Sequence, residues 1–178
     1  MGKNQVGKTG LIYRFIDFSM VPEQEPAISE NAKKILKIDE KDYGVEILDT
    51  NGEEEYPNMI DSWIAFGDGF LLVFAINDRE SFEKSKYHYE KIKKGKHGNE
   101  CPILLVGNKK DLENEREVIE TEAINLAEEW GIEYIETSVN KNDNCKKAFE
   151  MLARKISQTK NFELDESDKS GSCCCKII

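Results

Sequence analysis

The stretch "GKNQVGKT" at residues 2–9 constrains the fold more than any other part of the sequence. It fits the pattern G-x-x-x-x-G-K-[ST], in which backbone N–H groups surround the phosphates of a bound nucleotide. Such a loop joins a buried strand to the N-terminus of a helix, whose positive end favours anions. The pattern predicts that Lys8 contacts the outer phosphates and that Thr9 offers its hydroxyl to Mg²⁺. The other predicted nucleotide-binding residues of this loop are Gly2, Asn4, Gln5, Val6 and Gly7.

Downstream of this loop the hydrophobic pattern alternates between helix and strand. Residues 11–18 have apolar side chains at helical spacing, and residues 35–38 and 45–48 are typical of two antiparallel strands joined by a turn. Further strands are predicted at 70–76, 103–107 and 133–136, and further helices at 60–65, 81–94, 121–130 and 146–157. This order predicts an α/β fold of the P-loop NTPase type, a mostly parallel sheet with helices on both faces.

The amino-acid composition excludes some classes of protein. The formal net charge of −10 argues against nucleic acid as the main partner, because phosphate backbones attract basic surfaces. The longest apolar run, "FLLVFAI" at residues 70–76, is too short to span a bilayer. The cysteines show no disulfide spacing, so we expect a reducing cytosol. Residues 1–159 are predicted to form one domain and residues 160–178, polar and then rich in cysteine, a flexible tail.

Three further segments carry side chains suited to a nucleotide. In "LDTNGEEEY", Asp49 ends an apolar strand, where its carboxylate can hold Mg²⁺, and the N–H of Gly52 can reach a terminal phosphate. In "LLVGNKKDL", Asn108, Lys109 and Asp111 follow a buried strand. The Asp111 carboxylate can accept hydrogen bonds from both N1–H and the N2 amino group of guanine, and adenine has no such pair of donors. In "IETSVN", Ser138 and the N–H of Val139 are placed to meet the guanine O6.

Together and in this order, the four segments resemble the Ras-like small GTPase family over residues 2–157. Connecting stretches such as "GDGFLLVFAINDRESFE" resemble the Ras branch in particular. The resemblance implies a domain that binds GTP or GDP with Mg²⁺, with nucleotide-sensing loops at residues 21–30 and 49–59. It also implies exchange factors and effectors as partners, although the segment "QEPAISENA" keeps little of the Ras effector pattern.

Several positions differ from the residues that the family uses for hydrolysis or for switching. Asn4 stands where a small Gly is usual, Ala27 replaces the Thr that binds Mg²⁺, and Glu53 replaces the catalytic Gln that orients the attacking water. Binding residues are thus retained while hydrolysis and switching residues are altered. We therefore expect nucleotide binding with slow hydrolysis that resists activating proteins. Further departures fall at Met20, Asn51 and Asn140.

The strand expected ahead of the phosphate loop has no residues in this sequence, since only Met1 precedes Gly2. In the family it is the central strand of the sheet, so its loss would remove several buried side chains worth about 1.5–3 kcal/mol each. Two explanations remain open, a sequence shortened at its start or a chain that folds poorly, and we favour the first.

The last four residues, "CKII", fit the prenylation pattern C-a-a-X loosely. Cys175 is the predicted prenylation site, and Cys173 and Cys174 are candidate palmitoylation sites, because one lipid anchors only marginally. The expected location is then the cytoplasmic face of the plasma membrane. An unmodified tail, or one that binds zinc adventitiously, is the alternative.

The sequence thus favours a lipid-anchored GTP-binding switch with weakened hydrolysis. Two alternatives stay open: a non-catalytic protein that engages its partners whatever the nucleotide, and a non-functional fragment that lacks its first strand. A nucleotide kinase is the least favoured class, because "NKKD" selects guanine and no second substrate site is apparent.

Overall fold

A computed structural model describes residues 1–16, 31–50, 59–97, 100–159 and 174–178. The helices are α1 (Lys8–Phe15), α2 (Met59–Phe66), α3 (Arg79–Gly95), α4 (Glu120–Trp130) and α5 (Cys145–Thr159), with a 3₁₀ helix at Lys110–Glu115. The strands are β1 (Asn31–Ile38), β2 (Lys41–Leu48), β3 (Phe70–Ala75), β4 (Ile103–Asn108), β5 (Glu133–Glu136) and β6 (Cys174–Ile177). Within these ranges no helix is long and apolar enough to cross a membrane.

The strands form two three-stranded sheets in the orders β1-β2-β6 and β3-β4-β5. Among the described strands, the β1–β2 pair alone is antiparallel, and the β2–β6, β3–β4 and β4–β5 pairs are parallel. A bridge between Gly69 and Ile177 links β6 to the start of β3 and so joins the two halves. The mostly parallel α/β architecture predicted from the alternating pattern is confirmed.

Helices cover both faces of the sheet, and β3 shows this most directly. Its residues alternate between two apolar clusters: Leu71 and Val73 belong to the cluster with α1 and α5, and Leu72 and Phe74 to the one with α2, α3 and α4. Every residue of β3 is buried, as expected for a parallel strand with helices on either side. In the first cluster Phe149 of α5 stacks on Phe15 of α1, with ring centroids 4.4 Å apart.

Strand β6 occupies the central position of the sheet, between β2 and β3. In its parallel pairing with β2, Cys175 lies opposite Val45 and Ile177 opposite Ile47. The side chains of Cys175 and Ile177 are fully buried in the cluster with α5, while Lys176 points to solvent. The segment therefore alternates in and out as a strand with period two requires.

The other edge of β6 pairs with β3, and Met1 continues this ladder. The Ile178 N–H donates to the Gly69 carbonyl (3.0 Å), and the Ile178 carbonyl accepts from the Leu71 N–H (2.8 Å). At the next bonding position the Met1 amino group donates to the Leu71 carbonyl (2.6 Å), and the Met1 carbonyl accepts from the Val73 N–H (2.8 Å). The place of the missing strand is thus filled by residues 174–178 and Met1.

This arrangement differs from the expected flexible tail over residues 160–178, because the last five residues are in the sheet. The physical reason is the pair of open strand edges on β2 and β3, which residues 174–178 satisfy with backbone hydrogen bonds while burying apolar side chains. The two explanations offered for the strand missing ahead of the loop stay predictions. The domain boundary near residue 159 stays a prediction, although α5 does end at Thr159.

The predicted helices and the other predicted strands are confirmed, with ends moved by a few residues. Helix α1 begins earlier than expected, at Lys8, because the phosphate loop continues directly into it. Predicted residues 17 and 18 of that helix, both sensing loops except residues 49, 50 and 59, and most of the tail lie outside the described residues.

The stacked pair of Phe15 and Phe149 gives a test of the core. We expect Phe149→Ala to lower the free energy of unfolding by about 3–5 kcal/mol, because the substitution leaves a cavity around a side chain that is 1% exposed. Phe66→Ala removes the same side chain from a position that is 67% exposed, so a change below about 1 kcal/mol is expected. Urea unfolding followed by circular dichroism measures both, and equal losses would contradict this description of the core.

Candidate nucleotide-binding site

The phosphate loop ends at Gly7, the N-cap of α1. Gly7 has the left-handed conformation (φ 96°), and a Cβ atom there would lie 2.4 Å from Nδ2 of Asn108, so only glycine fits without strain. The Lys8 side chain is buried, and its Nζ donates to the carbonyls of Gly2 (2.7 Å) and Lys3 (3.0 Å). The ammonium group is therefore held inside the loop, next to the N–H groups at the start of α1.

Gly2 fixes the start of the loop against β3. Its φ is +148°, and a Cβ atom at this residue would lie 2.1 Å from the carbonyl oxygen of Val73. The loop backbone consequently leaves the sheet directly from the ladder that Met1 forms with β3. The position of the phosphate loop thus depends on the residues that fill the centre of the sheet.

Thr9 and Asp49 meet where α1 begins and β2 ends. The Thr9 hydroxyl donates to Oδ2 of Asp49 at 2.6 Å. The other carboxylate oxygen of Asp49, Oδ1, is buried and has no hydrogen-bond partner among the described residues. A hydroxyl and a carboxylate are oxygen ligands of the kind that Mg²⁺ takes, usually together with phosphates and waters. The two residues predicted to hold Mg²⁺ therefore fit that ion.

Asn108, at the end of β4, connects the phosphate loop to the segment predicted to bind the base. Its Nδ2 donates to the Val6 carbonyl (2.8 Å), and its Oδ1 accepts from the Thr137 hydroxyl (3.0 Å). Asn108 is 1% exposed and Thr137 is fully buried, so these bonds form in an environment of low dielectric constant. The two parts of the site are thus held at a fixed separation.

Asp111 and Ser138 form the predicted guanine-recognition pair. Ser138 Oγ donates to Oδ1 of Asp111 (2.5 Å), and Nδ2 of Asn140 donates to Oδ2 (2.8 Å). Burial raises the pKa of the Asp111 carboxyl, but hydrogen bonds from Ser138, Asn140 and its own backbone N–H, together with the charge of Lys141, outweigh burial, and the net pKa lies below the ordinary value. Asp111 is therefore ionised at neutral pH, the form that accepts two hydrogen bonds from guanine.

The remaining predicted loop and base residues lie in the same region. Asn4 is half-buried, Gln5 is exposed with a positive φ of 65°, and Lys109 has the same φ at the N-cap of the 3₁₀ helix. Val139 packs its side chain over Gly10 and accepts a hydrogen bond from Nε of Arg14 through its carbonyl (2.8 Å). Gly52, Glu53, Ala27 and Met20 lie outside the described residues, so their predicted roles stay predictions.

Several contacts of this site were not predicted from the sequence. The hydrogen bond from Thr137 to Asn108 and that from Asn140 to Asp111 join segments that are far apart in the chain. Lys3, inside the phosphate loop, pairs with Asp78 (3.1 Å) and Glu80 (2.7 Å) at the start of α3. The four sequence segments predict that a nucleotide site exists. No sequence pattern indicates which side chains of these segments form hydrogen bonds or ion pairs with one another.

Comparison with known proteins agrees with this geometry. The sequence profile of the Ras family matches residues 1–158. Protein ras-1 of Neurospora crassa is 36% identical and covers 100% of this chain and 93% of its own length. Ras-related protein R-Ras of Mus musculus is 37% identical, covering 100% of this chain and 84% of its own length. Ras-related protein Ral-B of Mus musculus is 38% identical, covering 99% of this chain and 91% of its own length.

Base selection can be tested at Asp111. We expect Asp111→Ala to lower GDP affinity at least ~100-fold, because two hydrogen bonds to a charged acceptor, about 1.5–3 kcal/mol each, are lost. Binding of ADP, which cannot donate this pair, should be as weak as it is to the unmodified chain. Calorimetric titration in Mg²⁺ measures both ligands. Asp61→Ala in α2, where the side chain is 80% exposed, is the matched control. An unchanged GDP affinity in Asp111→Ala would contradict the assignment.

Proposed function

The chain belongs to the Ras family of GTP-binding switch proteins, and we propose that it binds GTP and GDP with Mg²⁺ at the phosphate loop and hydrolyses GTP slowly. The observation that carries the binding proposal is the convergence of Lys8, Thr9, Asp49, Asn108 and Asp111 on one edge of the sheet. Members of this family act with regulators and effectors in general, and we propose the same classes of partner here.

In the proposed arrangement each side chain has a distinct task. Lys8 supplies a buried positive charge for the outer phosphates, and the N-terminus of α1 adds backbone N–H groups. Thr9 and Asp49 hold Mg²⁺, which neutralises charge on the phosphates when it is bound. Asp111, ionised and half-buried, accepts hydrogen bonds from the guanine edge.

The proposal of slow hydrolysis rests on residues that the family uses for the reaction. Glu53 brings a negative charge toward a triphosphate where a neutral Gln would orient water, and Asn4 places a side chain where an arginine finger would enter. Ala27 has no hydroxyl for Mg²⁺. An arginine finger alone is worth about 10³–10⁵ in rate, so obstruction at Asn4 is a large effect.

We also propose that the chain attaches to the cytoplasmic face of a membrane through a lipid on Cys175, assisted by Cys173 or Cys174. A prenyl diphosphate would lose diphosphate as its terminal carbon forms a thioether with the Cys175 sulfur, which gives up its proton. Because the Cys175 side chain is fully buried, this reaction requires β6 to leave the sheet first.

The first test of this proposal is to identify the nucleotide that the purified chain carries. We expect purified chain, denatured and analysed by chromatography, to release about one guanine nucleotide per molecule, with a substantial share of GTP because hydrolysis is slow. Lys8→Ala removes the buried positive charge and should release much less. Adenine nucleotide, or no nucleotide together with a folded chain, would refute the proposal.

Slow hydrolysis can be tested with Glu53→Gln. We expect the single-turnover rate to rise at least about tenfold, equivalent to about 1.4 kcal/mol of barrier, because the added negative charge is removed and a water-orienting amide is gained. Glu55→Gln removes the same charge two positions further along. It should leave the rate unchanged, since no role in orienting water is assigned to it. Equal rates in Glu53→Gln and the unmodified chain would show that another residue limits hydrolysis.

A further inference from the structure

The Asp111 carboxylate accepts hydrogen bonds from two side chains of the loop that follows β5. Ser138 Oγ donates to Oδ1, and Nδ2 of Asn140 donates to Oδ2 (2.8 Å). Ser138 is itself held in place, because the residue is 1% exposed and its Oγ accepts from the Lys141 N–H (3.1 Å). Each oxygen of the Asp111 carboxylate thus has a partner of its own within the chain.

These two hydrogen bonds leave room for a base on the same carboxylate. Each carboxylate oxygen has two lone pairs, so the whole group can accept about four hydrogen bonds. Ser138 and Asn140 use one lone pair on each oxygen. One on each oxygen remains for the N1–H and the N2 amino group of guanine. Guanine can therefore bind without displacing either side chain.

The order of groups along the guanine edge assigns the two oxygens of Asp111. O6, N1–H and the N2 amino group follow one another along that edge, and Ser138 is predicted to lie beside O6. The oxygen bonded to Ser138, Oδ1, therefore faces N1–H, and Oδ2 faces the N2 amino group. Asn140 consequently donates to the same oxygen that the N2 amino group would use.

We propose that Asn140 lowers the selectivity of this site for the N2 amino group, so that hypoxanthine nucleotides such as IDP bind nearly as well as guanine nucleotides. Hypoxanthine has the N1–H and the O6 of guanine but lacks the N2 amino group. A site rejects an analogue that lacks a donor because a polar group of the site then stays unpaired. Here Oδ2 keeps the hydrogen bond from Asn140, so the missing donor costs less. The proposal rests on the guanine-nucleotide binding proposed above and extends its class of ligand.

Asn140 lies where a substitution acts on the carboxylate rather than on the fold. The residue is exposed, whereas Thr137 and Ser138, which precede it, are buried and fix the start of the loop. The hydrogen bond from Ser138 to Oδ1 of Asp111 does not involve Asn140 and stays in its variants. Replacing Asn140 is therefore expected to change the partners of one carboxylate oxygen, Oδ2.

The first experiment compares GDP with IDP. Displacement of a fluorescent GDP analogue in Mg²⁺ gives the ratio of the IDP to the GDP dissociation constant, which we expect to lie below about 10 in the unmodified chain. In Asn140→Ala the ratio should rise at least about fivefold, because Oδ2 loses its bond from Asn140 and IDP has no donor to replace it. A ratio above about 10 in the unmodified chain, or one that Asn140→Ala does not raise, overturns the proposal.

Two further variants isolate the hydrogen bond. Asn140→Leu keeps a branched side chain of similar shape but donates no hydrogen bond, so the ratio should rise as it does in Asn140→Ala. Asn114→Ala, the matched control, removes the same type of side chain from an exposed position in the 3₁₀ helix and should leave the ratio unchanged. A ratio unchanged in Asn140→Leu, or raised equally in Asn114→Ala, overturns the assignment to this bond.

The same titrations separate this inference from the function on which it rests. If the unmodified chain binds neither GDP nor IDP, the proposed nucleotide function is refuted and the inference is overturned with it. If the chain binds GDP but rejects IDP, the nucleotide function stands and the role given to Asn140 is overturned. Binding of both nucleotides, with a ratio that depends on Asn140, supports the two together.

Discussion

The hydrogen-bond ladder along both edges of residues 174–178 is the interaction on which the rest of the molecule depends. It joins β1 and β2 to the parallel half of the sheet, since the described strands make no other connection between these halves. Without it the facing edges of β2 and β3 would leave buried donors and acceptors unpaired, at about 1–3 kcal/mol each. The apolar cluster with α1 and α5 would also lose Cys175 and Ile177. Both losses fall next to the phosphate loop.

The rest of the sheet could be predicted because its signals are local. The β3 and β4 segments are continuous apolar runs, and helices such as residues 81–94 repeat apolar side chains at helical spacing. The C-terminal strand has a signal too, since Cys175 and Ile177 point inward and Lys176 outward. Four residues with one lysine, preceded by an acidic stretch, are however too short for periodicity to decide. What orders them is the pair of open edges on β2 and β3, a tertiary constraint that the sequence of the segment does not contain.

The nucleotide site, like the sheet, could be predicted from the sequence only in part. Its residues were predictable in type and order, because glycine at positive φ, a lysine for phosphate and a carboxylate for guanine each follow from chemistry. The positions of these residues relative to one another could not be predicted from the sequence. Asn108 was predicted to bind the nucleotide, and the structure adds that its amide bonds to Val6 and Thr137 connect the two halves of the site. A side chain that holds other binding groups in place has no motif of its own, and only the folded structure identifies it.

Switch proteins need an element whose position depends on the nucleotide, and in this family the sensing loops supply it. In the first sensing loop, Ala27 has no hydroxyl with which to connect loop order to Mg²⁺. Residues 174–178 lie beside the nucleotide site, since Ile177 and Ile178 line the same cavity as Lys8 and Asp49. The nucleotide site and the centre of the sheet therefore share the side chains that line one cavity.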